Sequence, residues 1–212
     1  MIIYRKATID DMDEVASVHV HTQPEYFTST LGTDLLSKFY TEFLTEDNLF
    51  VVAVDETTSR IVGFCMGNYY GSNAEKRWEE KYRNEIIARL LLKCVQLNRL
   101  AISRVFRRIK SKLIKSQNKR PDVYFSHLLS LGVLTEYRGH HIASTLIDEF
   151  EYQCLHGSHP KVIPEAKTCT IGAYKWNTAG CKLYAYKGYI VYEEEKEKLK
   201  FKKNLLPDRT IV

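Results

Sequence analysis

Apolar positions recur along the chain in two different patterns. Short apolar runs bounded by turn residues predict β-strands, and apolar residues three or four positions apart predict helices. The predicted strands cover residues 1–6, 50–54, 61–68, 124–133, 168–174, 189–193 and 199–203. The stretch DETTSR between the second and third strands predicts a hairpin, and the last two strands predict another.

The predicted helices fall between these strands. Asp10 and Asp11 begin the first helix, and Gln23-Pro24 ends it before a loop over residues 25–32. Further helices are predicted at residues 35–44, 72–120, 142–150 and 179–186. The order βααββ, a helical insertion, then βαβαββ predicts an α/β fold with a mixed sheet.

The composition is that of an ordinary soluble protein. The chain has 212 residues, 44% hydrophobic and 27% charged, which predicts a single well-buried domain over residues 1–212. No apolar run approaches the length of a membrane span, and the first residues lack the features of an export signal. The five cysteines are odd in number and form no CxxC pair, which favours reduced thiols over disulfides or a metal site. We therefore expect a cytoplasmic protein without a bound metal.

The net charge of +5 belongs to one segment. Residues 86–121 contain 11 Lys or Arg and no Asp or Glu, whereas the rest of the chain holds 20 basic and 26 acidic residues. This segment is the later part of the helical insertion, residues 72–120. The insertion begins with an apolar stripe at four-residue spacing that predicts a packed helical face. The stripe consists of Trp78, Tyr82, Ile86 and Leu90.

Three roles stay open for the basic part of the insertion. It is a helical wall packed on the domain, a peripheral contact of residues 98–120 with the anionic inner surface of a membrane, or a device that steers an anionic acceptor into a cleft. Nucleic-acid binding is not expected, because Phe106 is the lone aromatic residue in the basic stretch and lies on its apolar side.

Residues 128–150, LLSLGVLTEYRGHHIASTLIDEF, predict a strand, a basic turn and an amphipathic helix. The turn ends in Arg138-Gly139. The first N–H groups of a helix have no partner within it, and the helix dipole favours negative charge there. The segment therefore predicts a binding site for a phosphate-rich ligand. The apolar face of the helix consists of Ile142, Leu146, Ile147 and Phe150.

This segment resembles the acyl-CoA-binding segment of the GCN5-related N-acetyltransferases (GNAT). The family's turn reads Arg or Gln, two residues, Gly, one residue, then Gly or Ala. Here Arg138 and Ala143 match, and His141 stands where glycine is expected. A second stretch, NTAGCKLY at residues 177–184 followed by KGY, is similar to the family's Asn…Leu-Tyr…Gly-Phe block. The resemblance implies a mixed, mostly antiparallel central sheet flanked by helices, with the helical insertion between the third and fourth strands.

The resemblance also implies acetyl-CoA as co-substrate and assigns residues to it. Its pyrophosphate is expected on the turn and the start of the helix. Its pantetheine arm is expected along the preceding strand, where one backbone N–H also polarises the thioester carbonyl. Asn177 is expected to hold this arm or to cap its helix. The expected cofactor-binding residues are Leu131, Gly132, Val133, Arg138, Gly139, His140, His141, Ile142, Ala143, Ser144 and Asn177.

Two residues carry the expected catalytic roles. Tyr184 stands where the family often has the acid that protonates the departing thiolate. His127 stands where many members have a glutamate, and an unperturbed pKa of about 6.5 suits a base that removes a proton from the attacking amine. On the acceptor side, His21 and Glu25, together with His19, are alternatives for this base, directly or through water.

The expected activity is direct acetyl transfer to a primary amine of a small acceptor, with an amino sugar as one candidate. An alternative function stays open, a non-catalytic acyl-CoA-binding domain whose basic insertion contacts a membrane or a partner. The histidine at position 141, in place of a glycine, is the feature that supports this alternative.

Overall fold

The computed structural model describes residues 1–46, 49–95, 125–157 and 167–206. The strands are β1 (Ile2–Lys6), β2 (Phe50–Asp55), β3 (Arg60–Tyr69), β4 (Ser126–Val133), β5 (Thr168–Tyr174), β6 (Ile190–Glu194) and β7 (Lys198–Asn204). The helices are α1 (Met12–Thr22), α2 (Thr33–Glu46), α3 (Ala74–Lys81), α4 (Arg83–Val95), α5 (Ile142–His156) and α6 (Thr178–Tyr186). A short 3-10 turn, Thr28–Leu31, lies in the loop before α2.

Within the described residues, seven strands form one sheet in the order β1-β2-β3-β4-β5-β7-β6. β4 and β5 pair in parallel, and every other neighbouring pair is antiparallel. The predicted α/β fold with a mixed, mostly antiparallel sheet is confirmed. Each predicted strand is present to within a few residues, and the closing hairpin is formed by β6 and β7.

Helices cover both faces of the sheet at its centre. A Cβ at Gly63 of β3 would lie 3.2 Å from the side chain of Leu146 in α5, whereas a Cβ at Gly132 of β4 would lie 2.7 Å from Thr22 Oγ1 at the end of α1. Gly132 pairs with Phe64, the neighbour of Gly63, and successive residues of a strand point to opposite faces. Therefore α1 and α5 lie on opposite faces, and the buried side of α5 is the one that the apolar spacing predicts.

The predicted insertion is helical where the structure describes it, in α3 and α4. The apolar stripe predicted there packs around Trp78, which is buried against Leu31 and Leu35 together with Tyr82, Ile86 and Leu90. The indole N–H of Trp78 donates to the backbone carbonyl of Leu35 at 3.2 Å, and its ring meets Phe39 edge to face at 5.2 Å between centroids. The start of the insertion is thus attached to α2.

The basic part of the insertion, residues 98–120, lies outside the described residues, so its three predicted roles stay predictions. Among the helices that the structure describes, none is long and apolar enough to cross a membrane.

Replacing Trp78 by Ala should lower the free energy of unfolding by about 3–5 kcal/mol, because it removes a buried indole and leaves a cavity between α2 and α3. Urea denaturation followed by circular dichroism measures this loss. The control is Leu91→Ala on α4, where the side chain is 62% exposed and the expected change is within about 0.5 kcal/mol. Equal effects of the two substitutions would contradict the packing of α3 on α2.

Candidate functional site

The site is built where β4 and β5 separate. Their parallel pairing joins Ser126–Leu128 to Cys169–Ile171 and then stops, although the described strands continue to Val133 and Tyr174. A register shift on the other side of β4 leaves Leu129 as an extra residue opposite the step between Met66 and Gly67. Such a bulge bends a strand and increases its twist. The bulge therefore lies at the point where β4 turns away from β5.

The separation leaves backbone groups of β4 facing a gap. Leu134 N–H donates to the Val62 carbonyl of β3 at 2.9 Å. Because backbone groups alternate in direction along a strand, the N–H and C=O groups of Leu131 and Val133 point away from β3, towards the gap. In agreement, the Leu131 carbonyl accepts a hydrogen bond from Gln23 Nε2 at 3.0 Å, across the gap side of the strand.

A cavity of about 720 Å³ occupies this gap, a volume within the usual range for a small-molecule site. Its walls come from β4, β5, the turn before α5, the start of α5, the loop after α1, and α6. Most of the predicted cofactor-binding residues line it. Those that do are Leu131, Gly132, Val133, Arg138, Gly139, His141, Ile142, Ala143, Ser144 and Asn177, together with the predicted catalytic Tyr184 and the predicted acceptor-side Glu25.

The start of α5 provides backbone donors at one end of the cavity. The first hydrogen bond within the helix runs from Thr145 N–H to the His141 carbonyl at 3.0 Å. The amides of Ile142, Ala143 and Ser144 therefore have no acceptor within the helix, and the side chain of the N-cap residue His141 does not cap them. An anion is a suitable partner for such amides. The donor set of this turn thus fits the pyrophosphate that the resemblance implies.

The turn itself has two residues in left-handed backbone conformation. Gly139 has φ of +84°, which glycine adopts without a steric penalty. His141 has φ of +61°, although its side chain makes this conformation unfavourable. The glycine expected at position 141 would have removed that cost. Arg138 stabilises the turn by donating from Nε to the Val133 carbonyl at 3.2 Å.

Asn177 and Tyr184 lie on the opposite wall, at the start and near the end of α6. The side-chain oxygen of Asn177 accepts from Gly180 N–H at 3.0 Å, so its predicted capping role is confirmed, and the residue also lines the cavity. Tyr184 is buried, and burial raises the pKa of its hydroxyl. The tyrosine therefore stays protonated at neutral pH, and it is a weaker acid than an exposed phenol.

Three predicted site residues do not line the cavity. His140 and His21 are exposed, in the turn before α5 and on α1 respectively. His127 lies on β4 one residue before the cavity wall begins, and its Nδ1 is 2.7 Å from Thr170 Oγ1. Burial, followed by the charges of Lys198 and Lys200, lowers the pKa of His127 to about 4. Its role as base stays a prediction.

A buried chain of polar side chains reaches the cavity from the α1 side. His19 pairs through Nδ1 with the Tyr40 hydroxyl and lies 3.0 Å through Nε2 from Thr28 Oγ1. The Tyr40 hydroxyl is 3.4 Å from Ser130 Oγ, which accepts from Gln23 Nε2 at 3.2 Å. Burial lowers the pKa of His19 to about 4, so its ring is neutral at physiological pH. Ser130 and Gln23 line the cavity.

One wall of the cavity was not predicted from the sequence. Tyr26, in the loop after α1, meets Tyr174 and Trp176 edge to face, with centroids 5.6 and 5.5 Å apart. Tyr174 and Trp176 stack with 16° between their planes, at 5.4 Å. We call these three rings the aromatic wall; Tyr26 and Trp176 line the cavity, and Tyr174 packs against both of them. The position of Trp176 directly before Asn177 is the signal that would have included it in the site.

Comparison with solved structures finds the same architecture in known acetyltransferases. Arylalkylamine N-acetyltransferase 2 from Aedes aegypti matches with a TM-score of 0.61 and 18% identity, over 97% of this chain and 99% of that one. A GNAT-family acetyltransferase from Staphylococcus aureus Mu50 matches with a TM-score of 0.58 and 12% identity, over 97% and 100%. PaiA N-acetyltransferase from Thermoplasma acidophilum, in complex with coenzyme A, matches with a TM-score of 0.52 and 14% identity, over 96% and 99%.

No family model and no curated protein matches the sequence. At these identities the likeness shows the fold, which is the one that the two sequence motifs imply.

Replacing His141 by Gly should raise the free energy of unfolding by about 0.5–1 kcal/mol. Glycine removes the strain of the left-handed conformation, but it also increases the conformational entropy of the unfolded chain, which offsets part of the gain. For the coenzyme A site that the resemblance implies, the same change should weaken coenzyme A binding about 10-fold, since a phosphate on this turn would lose a hydrogen-bonding imidazole. Urea denaturation and calorimetry measure the two effects. His140→Gly, outside the cavity wall, is the control for binding. Tighter binding by His141→Gly would show instead that the side chain crowds the ligand.

Proposed function

We propose that this chain, which has the fold of the GNAT acetyltransferases, transfers the acetyl group of acetyl-CoA to the primary amine of a small acceptor. One observation carries the proposal. The gap between β4 and β5 presents strand amides along one wall and leads to the uncapped start of α5, so that a single cavity offers partners for an extended amide-containing arm and for a pyrophosphate. The structure solved with coenzyme A among the neighbours is in agreement with this ligand.

The proposed reaction forms a bond between the amine nitrogen and the acetyl carbon while the carbon–sulfur bond breaks. The N–H groups of Leu131 and Val133 point into the gap, where one of them donates to the carbonyl oxygen as negative charge develops. Tyr184 lines the cavity and gives its hydroxyl proton to the departing thiolate.

The acceptor amine loses a proton on the α1 side of β4, and two routes are available for the transfer of this proton. His127 faces this side, in register with Asn68 and Thr170, and its low pKa keeps it neutral and able to accept a proton. Ser130 begins the second route, because its hydroxyl is linked through Tyr40 to the neutral ring of His19. The base assigned from the sequence is His127, and a pair of variants distinguishes the routes.

The acceptor of this proposal is a small amine, and an amino sugar is one candidate for it. Acetyl-CoA consumption by the purified chain, measured by thiol release with amino sugars, polyamines, amino acids and aromatic amines, tests the activity. Binding of acetyl-CoA in calorimetry without turnover on any amine would support the non-catalytic acyl-CoA-binding alternative. Failure to bind acetyl-CoA would overturn both functions.

Replacing Tyr184 by Phe should lower kcat by about 100-fold or more, because the thiolate loses its proton donor. The Kd for acetyl-CoA should stay unchanged, since Phe keeps the packing of the ring against Phe201. Steady-state kinetics and calorimetry measure the two quantities. Tyr189→Phe is a matched control, because Tyr189 is a buried neighbour of Tyr184 that does not line the cavity. Unchanged turnover in Tyr184→Phe would remove this residue as the acid.

Replacing His127 by Ala should lower kcat by about 100-fold, and raising the pH should restore part of the rate because more amine then reaches the site uncharged. The pH–rate profile of the variant measures this recovery. If His127 is the base, kcat of the wild-type protein should stay constant as the pH is lowered until it approaches the His127 pKa of about 4, where the ring becomes charged. His156→Ala, at the exposed end of α5, is the matched control.

Ser130→Ala interrupts the second route and should leave kcat unchanged if His127 takes the proton. The reverse pattern, a large loss in Ser130→Ala and none in His127→Ala, would move the role to the chain that ends at His19.

A further inference from the structure

The aromatic wall presents an indole surface to the cavity. Trp176 lines the cavity and remains 54% exposed, although Tyr174 stacks against it and Tyr26 meets its edge. The other rings are held in place, because Tyr26 meets both Tyr174 and Trp176 edge to face and the Lys198 ammonium lies 4.5 Å from the centroid of Tyr174. An exposed indole on a supported stack is a platform for a flat ligand group.

The charges of the cavity lie at two separate places. Among the residues that line it, those with a formal charge are Glu25 and Arg138. Arg138 belongs to the turn before α5, beside the uncapped amides that suit phosphate groups. Glu25 is the neighbour of Tyr26 in the loop after α1, and it is exposed. One carboxylate beside the aromatic wall suits a ligand with a single positive charge, and it disfavours a ligand with an anionic group of its own.

Polar side chains near the aromatic wall already have partners within the protein. Thr22 donates to the Val18 carbonyl at 2.8 Å, and Gln23 donates to Ser130 Oγ and to the Leu131 carbonyl. The side-chain oxygen of Asn177 accepts from Gly180 N–H and so caps α6. A ligand with several hydroxyl groups would leave most of them without partners there, which is costly when they are buried. A ligand with an apolar body avoids this cost.

We propose that the acceptor is a primary amine with one positive charge and an aromatic body, whose ring stacks on Trp176 while its ammonium group lies beside Glu25. The inference rests on the proposed acetyl transfer and names its substrate class. The ammonium group first loses one proton to the base, and the neutral nitrogen then bonds to the acetyl carbon while the carbon–sulfur bond breaks. The nitrogen loses its second proton, and the thiolate takes one from Tyr184.

The test compares kcat/KM of the full chain for 2-phenylethylamine, spermidine, glucosamine and hexylamine, with acetyl-CoA saturating. Phenylethylamine should exceed each of the others by about 10-fold, which corresponds to the stacking of one aromatic pair. A higher kcat/KM for glucosamine, spermidine or hexylamine than for phenylethylamine would overturn this inference and leave the proposed function intact. Absence of turnover with every amine, while acetyl-CoA binds, would overturn both.

Variants of the aromatic wall locate the preference. Trp176→Ala should raise KM for phenylethylamine about 10-fold and leave both KM for hexylamine and the Kd for acetyl-CoA unchanged, whereas Trp176→Phe should retain most of the preference. Glu25→Gln should raise KM for phenylethylamine and hexylamine alike. Tyr152→Ala, on the exposed side of α5, is the control. Loss of acetyl-CoA affinity in Trp176→Ala, with KM for the amines unchanged, would assign the platform to the coenzyme and overturn the inference.

Discussion

Parallel pairing between β4 and β5 lasts for three residues on each strand and then stops, and every part of the site depends on where it stops. Backbone N–H and C=O groups inside a sheet need partners, and an open edge exposes a row of them. Here the open edges lie in the interior of the sheet rather than at its border. The described helices α1 and α5 cover the two faces of the sheet beside the gap. A ligand can therefore reach the open backbone groups of β4 and β5, whereas an edge strand of another sheet cannot readily pair with them.

The two sides of the gap differ in how much hydrogen-bonding capacity they keep. At the start of α5, the first amides precede the helical ladder and have no side-chain cap, so they are available to a ligand. On the α1 side, Gln23, Ser130 and Tyr40 are committed to one another and to the Leu131 carbonyl. This asymmetry gives the cavity one end with uncapped backbone donors and another side that is lined largely by ring surfaces.

The sequence predicted those parts of the site that are local in the chain. Apolar spacing placed β4, the turn and α5 together, and the same pattern predicted that Trp78 begins a packed stripe. Contacts between distant segments left no comparable signal. His19 was named as an alternative base, but its pairing with Tyr40 depends on how α2 packs on α1. The contact of Tyr26 with Trp176 depends on the separation of β4 and β5, and no periodicity in either segment encodes it.

The left-handed conformation of His141 shows the same limit at a single residue. The motif identified position 141 as unusual, because a histidine stands where glycine is expected. Backbone geometry explains why glycine would suit the position, since φ is +61° there. A sequence pattern can mark such a position, but the free-energy cost of a residue other than glycine there depends on dihedral angles that only the folded turn defines.

The aromatic wall also has a consequence for how the protein acquires its structure. Tyr26 and Trp176 lie far apart in the sequence, so bringing their rings together closes a very long loop, and contacts of this kind form late and slowly in folding. The end of the cavity at the turn before α5 is assembled from adjacent residues and needs no such closure. The two ends of the cavity therefore differ in how much of the chain must be folded before they exist.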